Sequence, residues 1–130
     1  MTRDEIRRRI ESIEESYEFF LAFAAQGVRD DRQSHAGAQL REFLGKMAHA
    51  LTGLADGLRE LVQSDGLAPA EAYQRLVGVV ARDADSALAA VEVVRARPAI
   101  SSQLIDNLNA SIHVRALLTD LFLLDELIGE

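Results

Sequence analysis

The stretch 100–128, ISSQLIDNLNASIHVRALLTDLFLLDELI, carries apolar residues on two opposed helical faces, and this most constrains the fold. Ser101 suits an N-cap, because its hydroxyl can accept from a free amide of the first turn. Ile100 and Ile105 can form a hydrophobic staple around it. No Gly or Pro interrupts the run before Gly129, so the pattern predicts one continuous helix over 102–128. Leu104, Ile105, Leu108, Ile112 and Ala116 share its first apolar face. Past Ala110, the apolar stripe is Val114, Leu117, Leu118, Leu121, Leu124 and Ile128, centred about 190° from the first. Arg115, Thr119 and Glu126 occupy the sector that was apolar before, and Phe122, Leu123 and Leu127 fill much of the remainder. A lone helix in a bundle buries one stripe, not two opposed ones. Leaving these leucines in water would forfeit roughly 1.5 to 3 kcal/mol each. A second chain covering Val114, Leu117, Leu118, Leu121, Leu124 and Ile128 answers this, most simply as a two-fold homodimer. A bend near 110–113, exchange of the helix between chains, or another protein on that face would satisfy the same pattern.

Three further segments read as wrapping for this one. Thr2 and Glu5 make a capping box ahead of a helix over 3–26, with Ile6, Ile10, Ile13, Tyr17, Phe20 and Ala24 as its seam. Gly27 suits a left-handed residue after its end. A polar connection, VRDDRQS, leads to a second helix over 33–63, seamed by Leu40, Phe43, Leu44, Met47, Leu51, Leu54, Leu58 and Leu61. Its glycines, Gly37, Gly45, Gly53 and Gly57, do not share one face, which points to close helix contacts rather than one groove. Pro69 opens a third helix over 69–96, and Pro98 closes it. Four helices joined by short loops predict an all-α, antiparallel up-down-up-down four-helix bundle in a single domain, dimerising through helix four.

Composition excludes several chemistries. The net charge is −7, so a phosphate-binding surface for nucleic acid is not expected. The run Arg7-Arg8-Arg9 reads as i,i+4 pairs, Asp4–Arg8, Glu5–Arg9 and Arg7–Glu11. There is no Cys, hence no thiolate catalysis and no Cys-ligated metal. No signal-peptide core and no apolar run of membrane-spanning length is present, so the expectation is a soluble cytoplasmic protein without a membrane.

The bundle resembles ferritin-like di-iron proteins in architecture only. That family needs Glu-x-x-His on two helices, and this chain has none. His35, Glu42, His49 and Asp56 recur every seven residues but lie far from the helix-two seam, on a solvated face. Gln103, Asp106, Asn107, Asn109 and His113 form a polar patch along helix four that could bind a peptide or a small molecule. No catalytic set, metal site or cofactor is assigned. The functional expectation is a non-enzymatic interaction module (an adaptor, assembly factor or cargo-type protein) whose partners are itself and another protein. The alternatives are a ligand-carrying or ferritin-like bundle enzyme without a metal motif, and a peripheral lipid- or granule-surface binder. Phe20 belongs to the helix-one seam, so Phe20→Ala should destabilise the fold by about 3 kcal/mol or more in chemical denaturation; a loss below about 1 kcal/mol would mean the seam is misassigned.

Overall fold

A computed structural model describes residues 1–128. These form six α-helices and no strand: α1 (Arg3–Ala25), α2 (Gly37–Leu51), α3 (Leu54–Ser64), α4 (Ala70–Arg95), α5 (Ser102–Ala110) and α6 (Ile112–Ile128), with a 3₁₀ turn at Asp31–Gln33. Helix α1 packs on α2 and α5, α4 packs on α2, α3 and α6, and one apolar core runs through all six.

The start of α1 follows from its sequence. The Glu5 amide donates to Thr2 Oγ1 at 3.1 Å, and the Thr2 amide donates to Glu5 Oε2 at 2.7 Å. The helix then buries Ile6, Ile10, Ile13, Phe20 and Phe23. Gly27 follows its end at φ +66°, a left-handed conformation that costs Gly least. Phe19 stacks on Phe43 with ring centroids 4.6 Å apart, and the Lys46 ammonium lies over the Phe43 ring.

Six helices replace the four expected, because two of the expected helices are each broken once. The first break separates α2 from α3. Thr52 is extended at ψ 120°, and Gly53 is left-handed at φ +79°. Thr52 Oγ1 donates to the Ala48 carbonyl, and Arg9 Nη1 donates to the carbonyls of His49 and Thr52 at 2.9 and 2.6 Å. These carbonyls lose their helical partners at the break, and Arg9 replaces them. Arg9 therefore caps a distant helix end instead of pairing with Glu5, whose carboxylate is held by Thr2.

The second break falls at Ser111, extended at ψ 142°. Its Oγ accepts from the Val114 amide at 3.3 Å and so starts α6. This corrects the expectation of one continuous helix over 102–128, and it moves the expected interface. With the bend, α5 buries Ile105 and Leu108, while α6 buries Val114, Leu117, Leu118, Leu121, Leu124 and Ile128. None of those six is more than 6% exposed within a single chain. They pack into the chain's own core and present no surface to a second copy. The reversal of the apolar face along the sequence coincides with the bend at Ser111.

The connections are tied together by buried polar groups. The Asp31 amide donates to the Ile100 carbonyl at 2.9 Å, and the Ile100 amide donates to Asp31 Oδ1 at 2.7 Å. Arg41 Nε donates to Asp31 Oδ2 at 2.9 Å, and its other nitrogens reach the carbonyls of Arg95, Arg97 and Pro98. Gly37 starts α2 against this knot, where any Cβ would overlap the Asp31 carbonyl. Beside it, Ser102 Oγ accepts from the Val28 amide at 2.8 Å and donates to the Phe23 carbonyl at 2.6 Å. Asp31→Ala should destabilise the fold by about 3 kcal/mol, because it strands a buried amide and an arginine together. Chemical denaturation checks this; a change within about 0.5 kcal/mol would mean the knot is incidental.

Candidate interaction face on α6

Burying one side of α6 leaves the other to solvent, and that side is unusually apolar. Ile112 is 75% exposed, Phe122 59%, Leu123 50% and Leu127 44%. Scattered exposed leucines are ordinary, but several large ones on one helix face mark a contact surface. Leu21 and Val93 are the other large exposed apolar residues among those described, and they lie on α1 and α4.

Both flanks of α6 meet acidic groups. On the α4 side, Asp120 faces Asp83. Burial pushes the Asp120 carboxyl up to about 7, and the hydrogen bond and charge of Asp83 push in the same direction. With both groups ionised, Asp120 Oδ2 is buried without a donor. One proton held between them turns the clash into a hydrogen bond. On the α1 side, burial raises the Glu14 carboxyl, reinforced by the charges of Asp125, Glu11 and Glu18.

The polar patch expected on helix four is not assembled. The Gln103 amide donates to Asn107 Oδ1 at 3.3 Å, and both residues are exposed. Asp106 borders an open groove of about 560 Å³ between the end of α1 and the start of α5. Asn109 is turned inward, 4% exposed, with its Nδ2 donating to the Tyr17 carbonyl at 3.4 Å. His113 lies beyond the bend, exposed on α6. The seven-residue ladder of helix two is likewise divided: His35 precedes α2, Glu42 and His49 lie on α2, Asp56 lies on α3, and all four are exposed. Among the described residues no group of three or more His, Cys, Asp or Glu is placed to hold a metal, and no helix is long and apolar enough to cross a membrane.

Sequence reasoning missed Arg9, Arg41, Asp31 and the Asp83–Asp120 pair. Each acts on a residue at least ten positions away in the chain, so no local spacing announces it. Comparison of the chain with family models, with curated proteins and with solved structures finds no match in any of the three.

The carboxyl pair gives a pH dependence with a definite sign. Asp120 binds its proton more tightly folded than unfolded, so its stabilising contribution is complete below its ordinary value near 3.8 and is lost as pH rises through about 7. Asp120→Asn should therefore raise the melting temperature more at pH 8 than at pH 4. Equal shifts at both pH values would show that the two carboxyls do not share a proton.

Proposed function

We propose that this chain is a non-enzymatic helical interaction module that acts as a homodimer through the outward face of α6, in the cytoplasm. The six helices stack, on this reading, as four antiparallel rods, two of them broken. The supporting observation is the exposure of Ile112, Phe122, Leu123 and Leu127 on a single helix. Fully burying side chains of this size gains roughly 1.5 to 3 kcal/mol each, and a second copy offers the same apolar surface in return. The interface thus moves from the leucines of the core to the opposite side of the same helix. The uncapped face leaves room for another protein to compete with the second copy. Asp125 and Glu126 on α6 count against a lipid or granule surface, where basic residues are favoured. No basic cluster of the kind that nucleic acid requires borders the face.

Light scattering on the wild type and on Leu123→Glu, Leu127→Glu tests the proposal. The wild type should be dimeric at micromolar concentration and the double variant a folded monomer, because both leucines are exposed. Leu117→Glu, Leu121→Glu should instead fail to fold, since both of these leucines are fully buried. A monomeric wild type would refute the homodimer.

A further inference from the structure

Polar contacts tie α1 to α5 to one another. Arg9 on α1 holds carbonyls at the end of α2, and Arg41 on α2 holds the Arg95 carbonyl of α4. Gln74 on α4 donates to the Arg59 carbonyl of α3, and Ser102 on α5 donates to the Phe23 carbonyl of α1. Helix α6 is held differently. Apart from its cap at Ser111, no ion pair and no hydrogen bond to a backbone group joins it to another helix among the described residues. Its main neighbour is α4, and there the polar groups that meet are two of like charge, Asp120 and Asp83. Asp120 Oδ2 is buried with no donor. On the α1 side Asp125 faces Glu14, with Glu11 and Glu18 beyond it, again of like charge. Asp106, the one charged residue of α5, borders the groove beside the end of α1.

We propose that α6 undocks from α4 as a unit, hinged at Ser111, while α1 to α5 stay folded, and that the Asp83–Asp120 pair sets how often it does so by holding one proton when α6 is docked and releasing it when α6 leaves. Ser111 is already extended backbone between two helices, so the motion turns one junction and melts no helical turn. Apolar burial keeps the docked state dominant, because Val114, Leu117, Leu121 and Leu124 are at most 1% exposed. The carboxyl pair therefore governs the frequency of opening, not the resting arrangement. A terminal element joined by packing alone, without cross-ties, opens at lower free energy than the rest of a fold. The sign of the pH dependence follows from the two states. Docked, Asp120 holds its proton up to about 7; undocked and hydrated, it returns to its ordinary value near 3.8. Between those values each opening releases a proton, so the open fraction rises by up to about tenfold per pH unit. Above about 7 the docked pair has already lost its proton, and the open fraction levels off.

Native-state hydrogen exchange, corrected for the intrinsic pH dependence of amide exchange, reads this helix by helix. Protection of the amides from Leu117 to Leu124 should fall by about 30-fold or more between pH 5 and pH 7 and change little from there to pH 8. At each pH these amides should be about tenfold or more less protected than those from Ile10 to Phe20 on α1. Their exchange should also respond less to denaturant, since undocking one helix exposes less surface than unfolding the chain. Asp120→Asn should keep α6 docked and abolish its pH slope, because a neutral amide donates to Asp83 as the shared proton does. Asp83→Asn should do the same from the α4 side. Both positions are half-buried, and circular dichroism checks that each variant folds. Equal protection and equal denaturant response in α6 and α1 would mean that α6 opens only with the whole fold, and would overturn the proposal. A pH slope that persists in both variants would assign the released proton to another group, Glu14 first, and would overturn it as well.

Discussion

Asp31 is the buried charge to which the end of the molecule carrying the α1–α2 and α4–α5 connections is tied. Burial by itself would raise its carboxyl, but the hydrogen bond from Arg41 and that from the Ile100 amide outweigh burial and hold it below its ordinary value. A buried carboxylate without such donors would be strongly unfavourable. Arg41 completes the arrangement by taking up the carbonyls left open where α4 ends. The start of α2, the end of α4 and the start of α5 are thereby fixed relative to one another by one carboxylate and one guanidinium. Gly37 belongs to the same constraint, since only a residue without a side chain fits against the Asp31 carbonyl.

The two helix breaks use the same economy of groups. At Thr52–Gly53, the open carbonyls are taken by Arg9 from α1 and by the Thr52 hydroxyl. At Ser111, the hydroxyl serves as the cap of α6. Each break re-aims the chain so that the apolar stripe after it continues to face the core. For α6 the consequence is functional. Turning Val114, Leu117 and Leu121 inward necessarily turns Ile112, Leu123 and Leu127 outward, because residues half a turn apart cannot share a side.

The flanks of α6 add an electrostatic condition to this packing. Asp83 and Asp120 on one side, and Glu14 with Asp125 on the other, concentrate negative charge where the helix docks. The face between them is apolar and outward. Packing of α6 against its own chain therefore weakens as the shared proton between Asp83 and Asp120 is lost.

Although it set Ile112, which is 75% exposed, on a buried face, the sequence alone determined the all-α class, most of the buried seam of α1, α2 and α3, the capping box at Thr2 and the left-handed Gly27. These are local properties: a 3.6-residue period, a hydroxyl two or three residues from an amide, and a residue without a Cβ. It also announced trouble in 102–128, by reversing the apolar face within one segment. What it left open was how the reversal is resolved. Ser111 is as compatible with a helix interior as with a cap, since a serine hydroxyl can serve either role. Thr52–Gly53 is equally ambiguous, because one Gly costs a helix only about 1 kcal/mol. Only the tertiary structure decided for breaks, through Arg9 reaching the carbonyls of α2 and through a core that takes Ile105 and Leu108 before the bend and the whole second stripe after it, leaving Ile112 outside. Such contacts join residues far apart in the chain, and nothing in the spacing of either partner encodes the other.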